Sequence, residues 1–163
     1  MINKSAVLLT AFDGTSSEKL VACFDDTYKK IILKNDKNAS VEQLVNALEN
    51  NNINYIFSFG QKPVIKDKIY IELAGRIGDT IYKTAFDTDR LAAVLSRHKF
   101  PVRISSNAGT SFCNHIYACE LKHISENHYD AKMVFIHVPF EKNISDFEDY
   151  SRRLINALNV FCT

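Results

Sequence analysis

The sequence lacks most features that mark specialised protein classes. No apolar run approaches the length of a membrane span. Charge of neither sign dominates: 20 Lys and Arg stand against 19 Asp and Glu, a formal net charge of +1. A polyanion-binding surface is therefore not demanded. The densest basic stretch, "QKPVIKDKIY" (61–70), carries too few lysines to argue for nucleic acid. The four cysteines, Cys23, Cys113, Cys119 and Cys162, form no Cys-x-x-Cys pair and no disulfide framework. No group of ligands at metal-binding spacing accompanies them. No internal repeat, low-complexity segment or linker divides the chain. Together these absences predict one domain over residues 1–163, with reduced thiols, no metal, no nucleic-acid or membrane partner, and a cytoplasmic location.

What is present reads as alternating strands and helices. The opening "MINKSAVLLTAFDG" continues straight into polar residues without a cleavage pattern, so it reads as a first strand over 5–12 and its turn. A short helix over 17–26, with Ser16 or Ser17 as cap, and a strand over 29–34 follow. "SVEQLVNALENNN" (40–52) starts with a Ser-x-x-Gln pattern and places Val41, Leu44, Val45 and Leu48 on one helical face. Further strands are expected over 54–60, 67–75, 102–107 and 132–140, and helices over 87–100 and 146–161, with Asp87 capping the former. The alternation predicts an α/β/α sandwich with a largely parallel central sheet.

Ligands in such sheets gather at the carboxyl ends of strands. That rule collects Phe12 and Asp13, Gly60 and Gln61, Cys113 after its turn, and His137 near the end of "VFIHVPF". Cys113 stands where "AGTSFCNHIYACELKH" (108–123) should enter a helix. A cysteine is most often a small buried residue. A thiol at a helix N-terminus, however, lies near unpaired N–H groups and the positive end of the dipole, which favour thiolate and can also hold an oxyanion. A cysteine nucleophile needs an oriented base. His137 supplies the base, and Glu72 after "IYI" is the best-placed acid to orient it. His98, His115, His123 and His128 read as surface or capping residues, and the remaining cysteines as packing residues, with Cys162 near the surface.

"NAGTSFCNHIY" followed by "VFIHVPF" resembles the pyroglutamyl peptidase I family, the pyrrolidone-carboxyl peptidases. "VLLTAF" and "FGQKPVIKDKIYIE" are similar to that family's opening strand and its Gly-Gln and Ile-x-x-Glu segments. The resemblance implies an α/β/α fold and removal of N-terminal pyroglutamate from peptides without a cofactor. It implies Cys113 as nucleophile, His137 as base, Glu72 as orienting acid, Phe12 and Gln61 as contacts to the pyroglutamyl ring, and a homo-oligomer. The chain departs from the family in its first loop, "AFDGTSSEK", which lacks a second pocket phenylalanine and an asparagine, and in "KPVIKDK" after Gln61. Trimmed recognition loops keep two other expectations open: a catalytically silent relative that binds peptide or a protein partner, and a thiol redox sensor at Cys113.

Overall fold

The first strand, β1 (Val7–Phe12), is buried along its whole length. Its side chains divide between two cores: Val7, Leu9 and Ala11 enter one, Leu8 and Phe12 the other. A strand that is apolar on both faces requires helices above and below it. The computed structural model describes all residues 1–163. After β1 come α1 (Ser16–Ala22), β2 (Lys29–Leu33), α2 (Lys37–Asn50), β3 (Tyr55–Lys62) and β4 (Ile69–Glu72). Next are β5 (Ala74–Ile77), β6 (Thr80–Lys83), α3 (Thr88–Arg97) and β7 (Val102–Ser105). The chain closes with α4 (Phe112–Glu126), β8 (Lys132–Pro139) and α5 (Phe147–Cys162).

Six strands form one sheet in the order β2-β1-β3-β8-β4-β7. The four from β2 to β8 run parallel, and β4 and β7 run together in the opposite direction. Leu20, Leu91 and Leu154 bring α1, α3 and α5 to one face, while Leu44 and Tyr117 bring α2 and α4 to the other. The expected α/β/α sandwich with a largely parallel sheet is the observed fold. No helix is long and apolar enough to cross a membrane.

Three local readings are corrected. The segment 67–75 is not one strand: it breaks at Leu73 into β4, inside the sheet, and β5, which leaves the sheet and pairs with β6 as a separate hairpin. The hairpin lies on α4, and a Cβ at Gly75 would come within 2.6 Å of the Ala118 backbone nitrogen, so that close approach needs glycine. α2 begins before Ser40, because Asp36 is the true cap and accepts from the Ala39 N–H at 2.8 Å. Cys162 is buried, since the last turn of α5 still rests on the sheet, with Phe161 packed against Phe57 of β3.

One residue opposes the packing of α4. Glu120 is wholly buried, and neither carboxylate oxygen has a hydrogen-bond partner. Desolvation pushes its carboxyl up to about 8, so the group is neutral in the fold near pH 7. A raised folded-state value means that the folded chain holds a proton which the unfolded chain releases. Stability from this group is therefore greatest below the ordinary carboxyl range and falls as pH rises from there through about 8. The linkage cost is on the order of 3 kcal/mol at neutral pH. Glu120→Leu, which replaces the carboxyl with an apolar group of similar size, should raise Tm by several degrees, more at pH 8 than at pH 5. Thermal melts of the two proteins at both pH values check this; an unchanged or lowered Tm at pH 8 would contradict it.

Candidate active site

Strand alternation turns Gly60, Glu72 and His137 to one face of the sheet, while Gln61 at the end of β3 shares the parity of Phe57 and Phe59 and reaches Ser16 of α1. In β3, Phe57 and Phe59 enter the α1/α3/α5 core, which turns Gly60 toward α4. In β8, Met133 and Phe135 belong to the α4 side, and His137 shares their parity. In β4, Ile69 and Ile71 face away from α4, leaving Tyr70 and Glu72 on the α4 side. The register sets His137 between Gly60 of β3 and Tyr70 of β4.

The turn before α4 supplies the thiol. Ser111 caps the helix by accepting from the Asn114 N–H, and Cys113 is the second helical residue. The backbone N–H groups of Phe112 and Cys113 have no backbone acceptor, as expected in a first helical turn. The sulfur rests against β3: a Cβ at Gly60 would lie 2.9 Å from Cys113 Sγ and equally close to the Phe135 ring. Only glycine lets the strand come this near the thiol.

His137 Nδ1 lies 2.8 Å from Glu72 Oε1, and both side chains are buried. Donation from Nδ1–H to the carboxylate leaves Nε2 as the basic nitrogen. Burial opposes ionisation of Glu72. Its hydrogen bond and charge interaction with His137 outweigh that cost, with Ser105 and Lys62 adding in the same direction, and hold the carboxyl below its ordinary value. Tyr117 of α4 donates its hydroxyl to the Glu72 carbonyl at 2.9 Å and ties the helix to β4.

Cys113, His137, Glu72 and Gln61 line one cavity of about 380 Å³, within the range of small-molecule sites. No hydrogen bond joins Cys113 to His137. Phe12 is not part of the lining. It packs edge-on behind Phe112 at 5.4 Å between centroids, and Phe112 forms the wall. Gln61 does line the cavity, but its carbonyl accepts from the Ser16 N–H at 3.1 Å, leaving the amide NH2 as its free donor. Beyond it, Pro63 and Val64 form part of the rim, and Val64 holds a left-handed φ of 61° that is unusual for a β-branched residue. His115 lies outside the cavity, against Cys119, and Arg76 is exposed on β5.

The cavity also takes in Phe112, the first residue of α4, and Lys62, the last of β3, neither of which the motifs single out; the strand-end rule is the one sequence signal that points to Lys62.

The chain also matches known proteins. The model of the pyroglutamyl peptidase family matches residues 62–151, more than half of the chain and the stretch that contains Glu72, Cys113 and His137. The chain belongs to the pyroglutamyl peptidase family. It is 31% identical over 84 residues to the pyrrolidone-carboxylate peptidase of Thermosipho melanesiensis, covering 52% of this chain and 39% of that relative. It is 30% identical over 101 residues to the enzyme of the same name from Fusobacterium nucleatum, covering 61% of this chain and 44% of the relative. The matched stretch thus spans less than half the length of either relative. The fold is similar to the crystal structure of pyroglutamyl peptidase I from Bacillus amyloliquefaciens, with a TM-score of 0.79 at 21% identity, covering 97% of this chain and 94% of that one.

The thiol does not follow the expectation of a lowered pKa. Burial pushes Cys113 up to about 11; its own backbone N–H opposes this, Glu72 adds to it, and Lys62 again opposes it. At pH 7 the thiolate fraction of the free protein is then on the order of 10⁻⁴. Iodoacetamide at pH 7 should therefore modify exposed Cys23 faster than Cys113, and the Cys113 rate should climb as pH rises above 9. Peptide mapping over a pH series measures both; Cys113 labelling first at neutral pH would contradict the burial argument.

Proposed function

We propose that this protein is a cysteine hydrolase that removes N-terminal pyroglutamate from peptides. The observation that carries the reading is a buried His137–Glu72 pair and a helix-N-terminal Cys113 lining the same cavity. The matched family segment, which spans all three residues, supports it.

In this reading the thiol reacts from its protonated form. His137 Nε2 takes the Cys113 proton as the sulfur attacks the amide carbonyl, forming the S–C bond and placing negative charge on oxygen. The unclaimed N–H groups of Phe112 and Cys113 receive that oxyanion. The C–N bond then breaks as the imidazolium gives its proton to the leaving amine, and a thioester remains on Cys113. Water, losing a proton to Nε2, attacks the thioester; its collapse expels the sulfur, which recovers that proton. Pyroglutamate leaves and the thiol is restored. Glu72 stays ionised throughout, opposite Nδ1–H, and steadies the charged imidazole. The Phe112 ring offers an apolar wall to the lactam, and the Gln61 NH2 a donor for its carbonyl.

The rim of the cavity is built from Pro63 and Val64, and Phe12 is withdrawn behind Phe112, so the pocket closes poorly over a small ring. Water exclusion and binding contacts both suffer. A fluorogenic pyroglutamyl amide should be hydrolysed slowly, with a raised KM. Cys113→Ala should remove the activity, and Glu72→Gln should cost about two orders of magnitude less than that, as expected for an orienting acid. Steady-state kinetics on the three proteins decide this. Activity persisting in Cys113→Ala, or no hydrolysis by the wild type, would overturn the reading.

A further inference from the structure

Lys62 is the one lysine or arginine among the residues lining the cavity. Its ammonium is not spent on a firm partner. Nζ stands 3.7 Å from Glu72 Oε1, beyond a normal hydrogen bond, and that oxygen already accepts from His137 Nδ1 at 2.8 Å. On its other side Nζ lies 5.0 Å from the centre of the Tyr70 ring. No side-chain or backbone oxygen accepts a hydrogen bond from it. The side chain is 38% exposed, so its flexible stem can carry the charge into the cavity mouth.

The catalytic geometry orients this charge relative to a substrate. His137 must deliver a proton to the leaving amine, so the leaving residue lies on the His137 side of the sulfur. Lys62 lines the same cavity and lies near the Glu72 oxygen that His137 Nδ1 holds, and its flexible, part-exposed stem brings that side within reach of its charge. The Phe112 and Phe135 rings line the same cavity and supply its apolar part, which suits the lactam. Glu72 cannot neutralise Lys62 fully while it is committed to His137. An anionic group on the leaving residue would therefore meet an under-compensated cation at the edge of a partly dry site, where ion pairs exceed their value in bulk water.

We infer that Lys62 is a specificity-determining residue that selects pyroglutamyl substrates carrying a carboxylate on the first residue after the scissile bond. The inference rests on the pyroglutamyl hydrolase reading above. The carboxylate has two sources: the free α-carboxylate of a pyroglutamyl dipeptide, or an acidic side chain in a longer peptide.

The test compares kcat/KM within two matched pairs. Pyroglutamyl-alanine against its C-terminal amide isolates the α-carboxylate. Pyroglutamyl-aspartic amide against pyroglutamyl-asparagine amide isolates the side chain. Uncharged pyroglutamyl-aminomethylcoumarin serves as reference. The wild type should prefer the acid by about two- to fivefold in at least one pair, the scale of a part-exposed ion pair, and the pair that responds identifies the source. The preference should shrink with added salt, fall to about one in Lys62→Met, and reverse in Lys62→Glu. Because each ratio is taken within a single protein, a general loss of rate in a variant does not affect it; Lys62→Gln serves if Lys62→Met does not fold. Turnover of the reference with no acid preference in either pair, or a preference that survives in Lys62→Met, would overturn the inference and leave the hydrolase reading standing. No turnover of any substrate, reference included, would overturn both.

Discussion

The site depends on one hydrogen bond, from His137 Nδ1 to Glu72 Oε1, made across the antiparallel junction of β8 and β4. A carboxylate in a buried setting is expensive unless its acceptors are used. Here the imidazole, Lys62 and Ser105 together offset that expense and keep Glu72 ionised. The carboxylate in turn fixes which ring nitrogen carries the proton, and so which nitrogen is basic. Remove the junction and Glu72 would have no reason to stand beside His137, since β4 runs against β3 and β8, whose carboxyl ends carry Gln61 and His137.

The thiol is governed by a different balance. The helix N-terminus favours thiolate, as its position after Ser111 implies, yet the same packing that seats the sulfur on Gly60 and Phe135 removes water from it. Burial prevails and holds the thiol above its ordinary value. In the proposed mechanism Cys113 then relies on His137 to take its proton at the moment of attack, which couples nucleophile to base.

Much of this was legible in the sequence. Apolar runs such as "SAVLLTAF" and "KMVFIHVPF" can only be strands covered on both faces, and the strand-end rule placed Gly60, Gln61, Cys113 and His137 together. The rest depends on pairing and burial, which a linear pattern does not carry. The run 67–75 is continuous in its apolar pattern, so the break at Leu73 was invisible; it arises because Glu72 must stay in the sheet while Gly75 must meet Ala118. Phe12 and Phe112 are equally aromatic, and only the packing of α4 over β1 decides which faces the cavity. The raised thiol and the unpartnered Glu120 likewise follow from tertiary burial. A lone Glu among Ile116, Tyr117 and Leu121 was nonetheless a discordant residue that the helical pattern of α4 displayed.

The central claim is that Cys113 and His137 work as a single nucleophile–base unit in a pocket that accepts a lactam. A pyroglutamyl chloromethyl ketone tests it most directly, because the ring must bind before the sulfur can displace chloride. After reaction at neutral pH, peptide mapping by mass spectrometry should find the adduct on Cys113 while Cys23 stays free, with a rate at least tenfold lower in His137→Ala. Modification of Cys23 in preference to Cys113, or a rate unaffected by His137→Ala, would contradict the account.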